Sequence, residues 1–101
     1  MRLARILCLL LSALPLAALQ AKSQKVDELY QLHCASCHGE DLAGGLGGSL
    51  VEGDWKHIGP GRSFADYVVN GNPEMGMPAF GDALDAKQLR ALEIYITEKR
   101  H

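Results

Sequence analysis

The sequence predicts an all-α fold, with three or four short helices connected by long glycine-rich loops. Three segments show the apolar period of an amphipathic helix, and no segment shows a persuasive strand pattern. The connection over residues 39–53 alone contains six glycines. Loops this long are uncommon in a compact domain unless they wrap something or bear function. Helices plus irregular loops, with almost no sheet, suggest an interior that includes a bound group.

The first helix is predicted over residues 24–35. Its apolar face follows the i, i+3, i+4 and i+7 spacing, with Val26, Leu29, Tyr30 and His33. The second helix is short. It is predicted to begin after Ser63, which is followed three residues later by Asp66 in a capping pattern, and to end before Gly71.

The third helix is the clearest. Asp85 as the N-cap and Gln88 at the third helical position form a capping box. The predicted buried stripe consists of Leu89, Leu92, Tyr95 and Ile96. Lys99 and Arg100 suit the negative end of a helix.

The N-terminus has the three-part layout of a secretory signal peptide. Arg2 and Arg5 precede an apolar run over residues 6–14, and small or apolar residues follow. We predict that residues 1–21 are a removed signal and that residues 22–101 are one domain, exported to a periplasm or similar space. A retained membrane anchor is the alternative, but the run is short for a span of roughly 20 residues.

Charge and size constrain the mature chain. Loss of the signal leaves 80 residues with a net charge of −4, which argues against a nucleic-acid partner. A domain of this size is marginally stable by itself and usually needs an additional stabilising element, such as a disulfide or a bound metal ion. A disulfide between Cys34 and Cys37 would close too small a loop to help much. A large apolar cofactor is therefore expected to complete the core.

Residues 34–38 read Cys-Ala-Ser-Cys-His, the attachment signature of haem c. Two thiols three positions apart can reach two neighbouring vinyl groups on one haem edge. The histidine that follows then lies under the ring, where a neutral imidazole can bind iron. We therefore predict one covalent haem c, with Cys34 and Cys37 as anchors and His38 as the proximal ligand.

Two other interpretations of the cysteine pair are weaker. A redox-active dithiol is expected beside a strand–helix unit, which this sequence lacks. A zinc site would need more ligands, and the chain offers only His33 and His57 in addition.

The second iron ligand is predicted to be Met77, which lies 39 residues after the motif histidine. Pro78 restricts Met77 to extended backbone, and Gly76 allows a sharp approach. Core filling is the other common role of methionine. Met75 and His57 are alternative ligands. A thioether ligand favours ferrous iron and therefore raises the reduction potential of the haem iron. With both axial positions filled, we predict that the protein performs one-electron transfer and is not an enzyme.

With these features the sequence resembles the class I c-type cytochromes over residues 26–96. The motif follows the first helix, a Met-Pro-Ala-Phe segment begins at Met77, and the last helix contains Tyr95. The resemblance implies a cytochrome c fold wrapped around one haem. It also implies that the first and last helices cross beside the haem, near Tyr30 and Tyr95.

The chain departs from the family in one respect. Many members have a Gly-Pro pair after the motif, whose carbonyl orients the proximal histidine, but residues 44–50 contain no proline. A different backbone carbonyl is expected to serve, and its identity is open. Trp55, the only tryptophan, is either a donor to a haem propionate or a plain core aromatic.

The predicted function is that of a periplasmic carrier of single electrons. It would accept electrons from a dehydrogenase or membrane redox complex and pass them to an oxidase or another cytochrome. The sequence is also similar to cytochromes that serve quinoprotein sugar or alcohol dehydrogenases, which suggests such a donor. The alternatives are a small haem peroxidase or reductase and a gas-sensing haem protein, both of which need a labile distal ligand. A subunit held permanently in a larger complex is a third.

Overall fold

The structure, a computed structural model, describes residues 25–101. Within this range four α-helices and one 3₁₀ helix form the regular structure. The α-helices are α1 (Val26–His33), α2 (Ala35–His38), α3 (Phe64–Asn70) and α4 (Ala86–Glu98), and the 3₁₀ helix is Pro73–Met75. Over this range the chain forms two isolated β-bridges and no strand, which confirms the predicted all-α class. The predicted signal peptide lies outside the described residues.

The predicted first helix is split at Cys34. The N–H of Cys34 donates to the carbonyl of Tyr30 at 2.8 Å and so ends α1, while the carbonyl of Cys34 accepts the N–H of His38 at 2.9 Å and begins α2. Cys34 itself has φ −121° and ψ −34°, which departs from helical values and interrupts the hydrogen-bond ladder. The motif therefore occupies its own helical turn, with His38 as the last residue.

Helix α3 has the predicted bounds, and its ends explain them. Ser63 Oγ accepts the N–H of Asp66 at 3.1 Å at the start. Gly71, with φ 68°, follows the last helical residue and donates its N–H to the carbonyl of Tyr67 at 2.8 Å. Such a positive φ favours glycine. Phe64 and Val68 form the buried face.

Helix α4 begins with the predicted capping box. Asp85 Oδ1 accepts the N–H of Gln88 at 2.8 Å, and Gln88 Oε1 accepts the N–H of Asp85 at 2.9 Å. The helix packs against both α1 and α3. Of the predicted stripe, three residues are buried and Tyr95 is half-buried.

The core draws on loops as well as helices. Its buried members are Leu29, Tyr30, Leu42, Val51, Phe64, Val68, Leu84, Leu89, Leu92 and Ile96. The rings of Tyr30 and Tyr95 meet at the contact of α1 and α4, with centroids 5.8 Å apart. This is the helix contact that the family resemblance implied. Along residues 25–101, no helix combines the length and apolar character needed to cross a membrane.

Candidate haem site

Cys34 packs against the core, and the two motif thiols are not joined in a disulfide. Both cysteines are half-buried. Burial raises the pKa of the Cys34 thiol to about 11, and the neighbouring Cys37 adds to the shift. Redox-active dithiols need a lowered thiol pKa, so this environment argues against that role. A metal cluster is not supported either, because the described residues contain no group of three His, Cys, Asp or Glu side chains arranged to hold an ion.

The imidazole of His38 is oriented by a backbone carbonyl. Its Nδ1 atom lies 2.9 Å from the oxygen of Gly48. A carbonyl can only accept, so Nδ1 carries the hydrogen and donates it. In the neutral imidazole this tautomer leaves Nε2 without a hydrogen, so that its lone pair is available to a metal ion. A backbone carbonyl is a usual partner for the second nitrogen of a ligating histidine.

The glycine-rich loop after the motif packs directly on the end of α2. The N–H of Gly44 donates to the carbonyl of His38 at 2.8 Å, and the N–H of Gly47 donates to the carbonyl of Cys37 at 2.7 Å. A Cβ atom on Gly47 would lie 2.8 Å from Cε1 and 2.9 Å from Nδ1 of His38. Only glycine allows this approach, so the loop's composition follows from its contact with the imidazole. Gly47 and Gly48 are the site residues that sequence reasoning did not identify.

Tyr30 anchors the residue that follows the motif. Its hydroxyl donates to the carbonyl of Gly39 at 2.7 Å, and its ring is fully buried between α1 and α4. Burial is the main reason that the pKa of Tyr30 rises from 10.0 to about 12. Gly39 has φ 88°, so the chain turns sharply there. Tyr30 thus ties the turn after His38 to the core.

Met77 begins a short extended segment, residues 77–80, which we call the Met77 strap. The backbone of Met77 is hydrogen-bonded to Asn72, the residue after Gly71. The N–H and carbonyl of Asn72 pair with the carbonyl and N–H of Met77, each at 3.0 Å. A Cβ atom on Gly71 would lie 2.6 Å from the carbonyl of Pro78, so the strap rests directly on the end of α3. Met77 is half-buried and packs against the core. Met75 is 75% exposed, which makes it the less suitable of the two as an internal ligand.

The end of this segment contacts both α3 and α1. The N–H of Phe80 donates to the carbonyl of Val68 in α3 at 3.0 Å, and the Phe80 ring meets His33 of α1 edge-on with centroids 6.0 Å apart. His33 is thereby engaged in packing. The exposed His57, the alternative iron ligand, stacks on Tyr67 with ring centroids 5.6 Å apart, so its imidazole is also engaged in packing.

Trp55 has a buried donor without an acceptor. Its ring packs near Phe64, with centroids 5.9 Å apart. Its Nε1 atom is buried and has no hydrogen-bond partner among the residues that the structure describes. An unpaired buried donor costs about 1–3 kcal/mol, so an acceptor is expected there. A haem propionate has the right chemistry, and the residues present therefore fit a bound haem.

Comparison with known proteins places this arrangement in context. Residues 21–96 match the family described as cytochrome c oxidase, cbb3-type, subunit III. A cbb3-type cytochrome c oxidase subunit CcoP from Azospirillum brasilense is 30% identical over 83 aligned positions, and the match covers 75% of this chain and 28% of that protein. The cbb3-type cytochrome c oxidase subunit FixP from Azorhizobium caulinodans is 32% identical over 77 aligned positions, and the match covers 73% of this chain and 26% of that protein.

A third relative has a different name. Dihydro-heme d1 dehydrogenase from Pseudomonas aeruginosa is 30% identical over 92 residues, which cover 91% of this chain and 18% of that protein. No solved structure shows significant similarity. The matched region spans about a quarter or less of the length of these curated relatives.

Proposed function

Because the chain belongs to the cbb3-type cytochrome c oxidase subunit III family, and is thus a class I c-type cytochrome with covalent haem c, we propose that it is an exported monohaem carrier of single electrons. It would pass them between a dehydrogenase or membrane redox complex and an oxidase or other acceptor. The bound haem supplies an iron that alternates between the ferrous and ferric states.

The hydrogen bond from His38 to Gly48 is the observation on which this proposal rests. It leaves Nε2 of a rigidly held imidazole free to bind iron from one side. Met77 is proposed as the ligand on the other side, supported by the pairing of its backbone with Asn72. A pair of fixed ligands favours electron transfer over substrate binding, because no exchangeable position remains at the iron.

Cys34 and Cys37 are proposed to hold the haem through two thioether bonds. Covalent attachment prevents dissociation into a dilute compartment, which suits a carrier. Trp55 is proposed to donate its indole N–H to a propionate, which would satisfy the buried Nε1 atom. In this proposal the chain's own residues would bind and orient the cofactor.

An oxidase is the proposed electron acceptor, since two relatives are named as oxidase subunits. A dehydrogenase, of the quinoprotein type suggested by the sequence resemblance, is the proposed donor. The dehydrogenase named among the relatives is a much longer protein, of which the match covers 18%, so its activity is not transferred to this chain.

Ligand binding tests the carrier role against the enzyme and sensor alternatives. The protein is expressed with haem-attachment machinery, and a pyridine haemochrome verifies haem c. Carbon monoxide is then added to the ferrous protein and cyanide to the ferric protein. We expect slow and weak binding of both. Rapid, tight binding by the native protein would contradict the carrier role and favour an enzyme or sensor.

Oxidation by membranes tests the proposed acceptor. Prereduced protein is mixed with aerobic membranes that contain a cbb3-type oxidase, and its oxidation is followed by absorbance. Membranes from a strain without that oxidase provide the control. We expect oxidation at a rate that rises with oxidase content. Equal rates in both membranes would refute this acceptor.

A further inference from the structure

Arg100 reaches from beyond the end of α4 to the loop that contains Trp55. Its Nη1 atom donates to the carbonyl of Leu50 at 2.8 Å, and its Nη2 atom donates to the carbonyl of Gly53. Its guanidinium carbon lies 4.7 Å from the centre of the Trp55 ring. The N–H of His101 adds a bond to the carbonyl of Val51 at 3.0 Å. Residues 100–101 thus hold the loop over residues 50–55 at several points.

These contacts require the shape of arginine. A planar guanidinium presents its N–H groups as a rigid fork, so one side chain can bond two carbonyls and still stack on an aromatic face. A lysine ammonium carries the same charge without the fork. Residues 50–55 form no helix or strand of their own, so Arg100 supplies order that backbone ladders do not.

The loop that Arg100 holds contains Trp55, whose buried Nε1 atom has no hydrogen-bond partner within residues 25–101. We propose that Arg100 is a positioning residue for the haem: it fixes the Trp55 loop so that the indole N–H meets a propionate. This inference rests on the proposed haem site. Arg100 lies beyond residues 21–96, the segment that matches the family.

The expected consequence is a higher reduction potential. A donor to a propionate draws negative charge away from the iron, and the nearby guanidinium cation acts in the same direction. Both make the ferric state less favourable. Removing the arginine should therefore lower the potential, partly through its charge and partly through release of Trp55.

The test compares Arg100→Ala, Arg100→Lys and Arg90→Ala with the wild type, all as holoprotein. Arg90 is an exposed arginine of α4 and controls for the lost charge. Trp55 is the only tryptophan, so its fluorescence reports its distance from the haem, which quenches the emission by energy transfer. We expect strong quenching in the wild type and Arg90→Ala. Both Arg100 variants should show a several-fold rise in emission and a lowered potential.

A double-mutant cycle separates positioning from charge. In a Trp55→Phe background, Arg100→Lys should cause no further fall in potential, because the residue through which it acts is gone. Wild-type emission and potential in both Arg100 variants would overturn the proposal, as would additive effects in the cycle. If the wild type bound no haem c, the proposed function itself would fail, which is a distinguishable result.

Discussion

The Nδ1 atom of His38 and the backbone oxygen of Gly48 are hydrogen-bonded at 2.9 Å, across ten residues of a glycine-rich loop. Many class I c-type cytochromes have a Gly-Pro pair soon after the motif for this role, whereas residues 44–50 of this chain contain no proline. The acceptor is a backbone atom, so no substitution at Gly48 removes it. The bond depends on how closely the loop approaches the imidazole, and Gly47 sets that approach.

Gly47→Ala should weaken this bond. The added Cβ would lie within 3 Å of the His38 ring, so the loop must move away. Overpacking of this kind costs about 1–3 kcal/mol of unfolding free energy. A histidine that loses its acceptor becomes less basic, which should raise the potential. Denaturant unfolding followed at the haem Soret band, together with a redox titration, measures both effects.

Gly48→Ala is the matched control. A Cβ atom on Gly48 meets nothing within 4 Å, and its carbonyl stays in place. Stability and potential should stay close to those of the wild type. Equal effects of the two substitutions would show that loop flexibility, and not contact with His38, determines the result.

The parts of the fold that could be predicted are those encoded locally. Ser63 and Gly71 gave the bounds of α3, and Asp85 with Gln88 gave the start of α4, because a cap acts on its own helix end. The motif at residues 34–38 and the strap at Met77 were likewise visible as short patterns. Their assignment as haem ligands stays a prediction.

The remaining parts depend on contacts between distant segments. A backbone carbonyl such as that of Gly48 has no side-chain signature. The glycine-rich composition therefore indicated an unusual loop, but not that the loop orients the His38 imidazole. Arg100 bonds a residue 50 positions away, a distance that no local pattern covers. The break at Cys34 was missed because the apolar period of α1 continues up to the motif.

Met77→Ala should remove the weak near-infrared band that a thioether–iron bond produces. It should also lower the potential, since the thioether favours ferrous iron. Met75→Ala is the control, because that side chain is 75% exposed and lies two residues away. Absorption spectra of the ferric proteins and redox titrations provide the measurements. Loss of the band in Met75→Ala, with retention in Met77→Ala, would reverse the assignment.

Gly71→Ala and Gly76→Ala compare two glycines with positive φ, 68° and 86°. Gly76 has the left-handed helical conformation, in which a Cβ costs about 1–2 kcal/mol of stability. Gly71, with ψ −170°, lies in a region that is nearly restricted to glycine, where the cost is about 1–3 kcal/mol. At Gly76 the new Cβ meets nothing within 4 Å, whereas at Gly71 it lies 2.6 Å from the carbonyl of Pro78.

Gly71→Ala should therefore destabilise the protein more and displace the Met77 strap. The near-infrared band should weaken in Gly71→Ala and persist in Gly76→Ala, while denaturant unfolding gives the two stabilities. Equal band intensities in both variants would mean that the strap does not depend on its contact with the end of α3.

Stability at high pH should depend on Tyr30. Its pKa is raised from 10.0 to about 12 in the folded protein, mainly by burial, so the folded state holds the phenolic proton more tightly than the unfolded state. The stabilisation is fully present below pH 10 and is lost as the pH rises from 10 through about 12.

Tyr30→Phe should lose about 1–3 kcal/mol of unfolding free energy at neutral pH, because the carbonyl of Gly39 loses its donor. Its unfolding free energy should then vary less than that of the wild type between pH 10 and 12. Denaturant unfolding at closely spaced pH values measures this slope, and parallel slopes for the two proteins would show that another group governs alkaline unfolding.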